Sequence, residues 1–131
     1  MKTIWIVISA LMVVALGSAS AGEAPAGNPA VGQKMFLQCR ACHTVAANAP
    51  HSIGPNLNGV VGARAGTRKG YNYSQAMAAA GLVWNAATLD RFLTRPSAAV
   101  PGTKMAFAGM AAPKARADMI AYLATLRASR R

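Results

Sequence analysis

Cys39-Arg40-Ala41-Cys42-His43 sets two thiols three positions apart and puts an imidazole directly after the second. This is the attachment pattern of haem c. The spacing has a chemical reason. Within one tight turn, each thiol reaches one vinyl group of a porphyrin and closes a thioether bond. The next residue then comes over the ring face, where the imidazole of His43 meets the iron, and a proximal histidine is a standard haem-iron ligand. A bare C-x-x-C also fits a thioredoxin-like redox pair, half a zinc site or a short disulfide. Zinc needs four ligands in tetrahedral array. Cys39, Cys42, His43 and His51 are the only Cys and His in the chain, and seven residues separate the two histidines. A thioredoxin motif sits in a βαβ unit, and the flanks here read as helix. A disulfide between the only two cysteines stays open on the motif alone.

Upstream, Lys2 gives a positive start. An apolar run from Ile4 to Leu16 follows, then Gly17-Ser18-Ala19-Ser20-Ala21 with an A-x-A ending. This reads as a signal peptide, residues 1–21, cleaved after Ala21. The run is shorter than the roughly 20 residues that span a membrane, and no other long apolar run occurs. No membrane span is therefore expected after cleavage. Export fits thioether formation outside the cytosol and puts the protein in the periplasm. Residues 22–131 then form one small domain. A domain of that size is marginal on its own core, so a buried haem is expected to carry much of the folding.

The formal net charge is +11, from 14 Lys and Arg against three Asp and Glu. Such an excess concerns partners and association rates rather than fold. Nucleic acid is excluded by the compartment. Acidic docking faces on redox partners or an anionic membrane surface suit it better.

Downstream, Asn28-Pro29 opens a helix with Asn at the N-cap and Pro at the first turn, expected to run to about Gln38. Gly32 inside it costs about 1 kcal/mol against Ala, which is repaid if another helix approaches closely. After His43 comes an irregular loop holding His51, read as a structural imidazole bonded to loop backbone. Gly54-Pro55-Asn56-Leu57 is turn chemistry. Ser74 caps a short helix over 75–80, closed by Gly81. Asn85 caps residues 86–95, which Pro96 ends. Residues 96–113 show no periodicity. Pro113 starts a last helix whose apolar stripe is Ala115, Met119, Tyr122, Leu123 and Leu126. The fold expected is all-α, three main helices and a short one. Structureless loops beyond about 12–15 residues are uncommon in compact domains, and here they make sense as the lining of a bound plate.

His43 fills one axial position. Met35, Met77, Met105, Met110, Met119 and His51 are the candidates for the other. Met35 and Met119 fall on core faces and Met77 in the short helix, and core filling is the usual work of methionine. Met105 and Met110 lie in loop.

Taken together, the attachment motif, Gly54-Pro55-Asn56-Leu57, Gly70-Tyr71, Trp84 and Pro101-Gly102-Thr103-Lys104-Met105-Ala106-Phe107-Ala108-Gly109 resemble class I cytochromes c. The likeness is strongest to small mitochondrial cytochrome c and its periplasmic bacterial relatives, and runs from Gly32-Gln33-Lys34-Met35-Phe36 to Tyr122-Leu123. It implies a class I cytochrome c fold around one covalent haem c, with Cys39 and Cys42 as attachment points. It further implies iron ligation by His43 and Met105 and a soluble, monomeric electron carrier that is not an enzyme. The carbonyl of Pro55 would receive the proximal imidazole N–H, Tyr73 and Trp84 would hydrogen-bond a haem propionate, and Gly32 would pack on Tyr122. A quinol-oxidising complex and a terminal oxidase, or a periplasmic dehydrogenase, are the implied partners. Lys104 is expected at the docking rim, with Arg40, Lys69 and Arg95. The chain departs from the family pattern in four places, one of them a residue missing between the first helix and Cys39. Ala63 stands where a buried arginine is usual, with Arg64 one step later. Phe92 replaces a tyrosine and Met77 an asparagine. A gas sensor or peroxidase with a labile distal site, and a haem subunit docked permanently on a larger enzyme, stay open as other classes.

Overall fold

The computed structural model describes residues 26–127; the expected signal peptide, residues 1–21, lies outside them. Among the described residues the regular elements are α1 (Pro29–Met35), α2 (Gln75–Ala79), α3 (Ala86–Thr94), α4 (Pro96–Ala99) and α5 (Pro113–Thr125). The fold is helical. The nearest thing to a strand is an isolated antiparallel bridge between Arg64 and Val83.

The caps follow from the sequence. Asn28 accepts from the N–H groups of Ala30 and Val31. Ser74 accepts from Met77, and Asn85 and Thr88 form a reciprocal capping box. Each satisfies backbone donors that a helix start leaves without partners. Two boundaries differ from expectation. α1 stops at Met35 and tightens into a 3₁₀ turn, Phe36–Gln38. Pro96 ends α3 at Thr94 but also opens α4, because a proline that lacks an N–H is well suited to a first helical turn. The segment 96–113 is therefore not wholly irregular.

α1 crosses α5 in direct contact, and α3 packs on α5 beside it. Gly32 is buried at the crossing, where a Cβ would overlap the Asp118 carbonyl and come within 2.8 Å of the Tyr122 Cβ. A side chain has no room, which explains the glycine. Phe36 and Tyr122 pack there with ring centroids 5.2 Å apart. The same junction carries polar ties. The Asn28 N–H donates to Asp118 Oδ1 at 2.6 Å, and Lys114 pairs with the same oxygen. Arg116, buried on α5, donates to Asp90 of α3 at 2.7 Å and to the carbonyls of Met110 and Ala111, both at 2.9 Å. A buried guanidinium needs such partners, and these fasten α3, α5 and the strap between α4 and α5 together.

Opposite the helices, residues 44–74 run as loop, and the strap 100–112 closes the other side. Between them lies a cavity of about 300 Å³.

Candidate functional site

The attachment motif continues the winding of α1. Cys39 and Arg40 donate to the Phe36 carbonyl, at 2.8 and 3.1 Å, and Cys42 and His43 donate to that of Cys39, at 3.0 and 2.9 Å. This coiled path places Cys39, Cys42 and His43 on one wall of the cavity. Both cysteines are free thiols, which removes the disulfide left open by the motif. Burial, and next the neighbouring Cys42, push the Cys39 thiol up from its ordinary value.

His43 is oriented by its backbone surroundings. Its Nδ1 lies 2.7 Å from the Pro55 carbonyl. A carbonyl only accepts, so Nδ1 carries the proton and Nε2 keeps its lone pair. Burial lowers the His43 pKa, with the Pro55 bond opposing it, so the ring is neutral at neutral pH. Gly54 presses on its face: a Cβ there would lie 2.7 Å from Nδ1 and 2.9 Å from Nε2. The glycine is thus required by the imidazole.

The loop behind Pro55 is held by one buried amide. Asn56 donates through Nδ2 to the Ala46 and Ala49 carbonyls at 2.8 and 3.0 Å. Its Oδ1 accepts from Asn58 N–H at 2.7 Å, and its own N–H donates to His51 Nδ1 at 2.9 Å. The other His51 nitrogen faces the Lys69 carbonyl at 2.9 Å. Both His51 nitrogens are occupied, and His51 does not line the cavity, as expected of a structural imidazole.

Across the cavity, Val100 accepts from Thr103 N–H at 3.0 Å, and Thr103 Oγ1 from Met105 N–H at 3.3 Å. Met105 lines the cavity from this strap. Lys104 beside it donates to the Asn72 carbonyl at 2.9 Å and so latches strap to loop at the cavity edge. Of the other methionines among the described residues only Met77 reaches the lining, and it is buried in the core. Met110 is buried with its N–H on the Leu93 carbonyl at 2.8 Å, away from the cavity.

Pro55, Tyr73 and Trp84 complete the residues picked from sequence, and all three line the cavity. Trp84 is set there by pairing of the 62–65 segment with 82–84: its N–H donates to Ala63 at 2.9 Å and its carbonyl accepts from Gly62 at 2.7 Å. It packs on Phe92 with centroids 5.0 Å apart. Sequence reasoning did not find the Asn56 hub or the inward placing of Arg68. The first was signalled only by an Asn in turn context, and the second by nothing local.

A flat, largely apolar ligand with a metal centre and two carboxylates fits these walls. Two unpaired thiols, one free imidazole nitrogen and the thioethers of Met105 and Met77 line a cavity within the ~300–1,000 Å³ usual for small-molecule sites. Haem has the groups this set would take, two vinyls for the thiols and an iron for the imidazole and a thioether, and the attached product would be haem c.

The cytochrome c family model matches residues 29–127. The chain is 48% identical over 121 residues to cytochrome c2 of Rhodomicrobium vannielii, covering 90% of this chain and 97% of that one. It is 46% identical over 106 residues to cytochrome c of Cannabis sativa, covering 80% and 96%. Among solved structures, cytochrome cH from Methylobacterium extorquens superposes with a TM-score of 0.70 at 47% identity, covering 76% of this chain and 99% of that one.

Proposed function

The chain belongs to the cytochrome c family and is a haem c electron carrier, not an enzyme; from this we propose that His43 and Met105 hold the iron of a soluble, exported carrier. In that proposal Cys39 and Cys42 carry the thioether bonds, and Tyr73 and Trp84 meet a haem carboxylate. The observation that supports it is convergence. Seven residues from well-separated stretches of chain, Cys39, Cys42, His43, Pro55, Tyr73, Trp84 and Met105, line one cavity.

Bound haem supplies a one-electron couple, and His/Met ligation sets it at a raised potential. The chain's own work is to hold and to exclude. Pro55 fixes the His43 tautomer, so Nε2 is presented without a proton transfer. Thr103 and the Lys104 latch hold the Met105 segment. Val60, Leu89, Phe92 and Leu93 line the interior and keep it dry. With His43 and Met105 both taken up in holding the iron, no site would be left for substrate, and outer-sphere transfer is what the bound group would support.

The carrier works with redox partners. We assign these acidic docking faces, as on a quinol-oxidising complex and a terminal oxidase or a periplasmic dehydrogenase. Lys104 lines the cavity edge, and Arg40, Lys69 and Arg95 are exposed. No helix of the described residues is long and apolar enough to cross a membrane. Export to the periplasm rests on the leader, residues 1–21, and monomeric mobility on the small domain. The test is reduction of the haem-loaded protein by an acidic redox protein at rising ionic strength. The rate should fall steeply as the Debye length drops from about 10 Å toward about 3 Å. A flat rate contradicts the docking assignment.

A further inference from the structure

Arg64, one step past the Ala63 departure, and Arg68 both line the cavity, but Arg64 is exposed whereas Arg68 is half-buried. The Arg68 guanidinium donates through Nη2 to the Asn58 carbonyl. Asn58 is itself pinned, by its N–H to Asn56 Oδ1 at 2.7 Å and by Nδ2 to the Val45 carbonyl at 3.0 Å. The cation is therefore held on the wall by a fixed loop.

Taking a charge out of water is costly unless it is paired. Among the described residues, the carboxylates are engaged elsewhere: Asp90 with Arg116 and Asp118 with Lys114. Arg68 keeps a neutral carbonyl as its hydrogen-bond partner. A guanidinium has five N–H donors in a fork that matches a carboxylate, so most of that fork is free for an anion the chain does not supply. Tyr73 shows how far its field reaches: burial raises the phenol pKa, and the Arg68 backbone and charge oppose the rise. Arg68, Tyr73 and Trp84 thus bring donors and positive charge to the wall of a largely apolar cavity, with Arg68 the half-buried cation among them.

We propose that Arg68 is the cation that neutralises a carboxylate of the bound haem, acting with Tyr73 and Trp84. This rests on the haem reading above. A carboxyl buried in an apolar site without a cation is pushed up from about 4.3 by as much as about 3–5 units. With Arg68 present it stays ionised across the neutral range. Ionisation of a carboxyl near the iron favours the ferric state, so its titration shows as a midpoint potential that falls with rising pH.

The other titratable or charged groups around Arg68 and along the same wall are Arg64, Lys69, Tyr71, Tyr73, Lys104, which bonds the Asn72 carbonyl, and His51, whose ring faces the Lys69 carbonyl. They are common to the wild type and the Arg68 variants. The experiment is a midpoint-against-pH series, from about pH 5 to about pH 8, on haem-loaded wild type, Arg68→Gln, Arg68→Lys and Arg64→Gln. Gln can keep a hydrogen bond to Asn58 without the charge, so a merely structural role would leave the pH profile unmoved. Expected are a flat profile for wild type and Arg64→Gln, a downward slope for Arg68→Gln, and a flat profile regained in Arg68→Lys. A flat Arg68→Gln profile, or a slope that arises in Arg64→Gln instead, overturns the proposal. A haemochrome spectrum of the same wild-type sample reports the thioethers separately. Haem that is not covalently attached would overturn the haem reading and this inference together.

Discussion

At the α1–α5 junction two helices touch through a glycine, two aromatic rings and one shared carboxylate. Across the cavity, the 44–74 segment runs as loop up to the start of α2 and is held by side chains bonded to backbone: Asn56 to Ala46 and Ala49, His51 to Lys69, Tyr71 to Ile53 at 2.6 Å. The junction buries apolar surface against itself, and its stability is a matter of close packing. The loop wall buries its apolar residues against a cavity, so its shape rests on hydrogen bonds and on what the cavity holds. The first kind of structure fails by collision and the second by loss of a bond.

The sharpest break in this contrast is Gly32→Val. The new side chain has to displace α5 backbone rather than a flexible side-chain tip. Overpacking typically costs ~1–3 kcal/mol, and a rigid neighbour puts this variant at or above about 3 kcal/mol. The denaturant midpoint of haem-loaded protein measures it. A loss below about 1 kcal/mol would mean the helices slide apart freely and the junction is not close-packed.

Asn56→Ala acts on the other region. It removes the donor to two carbonyls and the acceptor for Asn58 N–H. At about 1 kcal/mol per lost bond, the expected destabilisation is about 2 kcal/mol, since water reaches part of the opened loop. Hydrogen exchange should speed up at Leu57, Asn58 and Val60 and stay unchanged in α1 and α5. Equal acceleration in the helices would show that the two regions unfold as one unit.

The smallest effect is acidic. The Lys114 side chain, and next the Asn28 N–H, hold the Asp118 carboxyl below its ordinary value. A depressed carboxyl adds stability that is fully present above the unfolded value of about 3.9 and is lost as pH falls through its own lower pKa. The stability gap between wild type and Asp118→Asn should therefore be constant at neutral pH and shrink below about pH 4. A gap unchanged in acid would show that the pairing gives no linkage.

The same contrast decides what could be read in advance. Helix starts were legible because capping is local: Asn28, Ser74 and Asn85 each reach donors two or three residues on. The attachment motif was legible because its chemistry fits in five residues. α4 was hidden, since four residues hold too little periodicity and Pro96 reads first as a stop. Arg68 and Asn56 were hidden for another reason. Their partners lie up to ten residues away along irregular chain, and no repeat in the sequence encodes which loop carbonyl a side chain will meet. Lys104 was read as a docking charge, and its bond to Asn72 gives it a second task as a latch.

The most direct test of the account is the midpoint potential of haem-loaded Met105→Ala, measured with its affinity for added imidazole, beside Met77→Leu and Met110→Leu. If Met105 holds the iron opposite His43, Met105→Ala loses potential and gains affinity for the external ligand, while the other two keep a filled axial site. Each 59 mV lost corresponds to about a tenfold change in the one-electron equilibrium. A Met105→Ala protein with unchanged potential and no new affinity for imidazole would contradict the account.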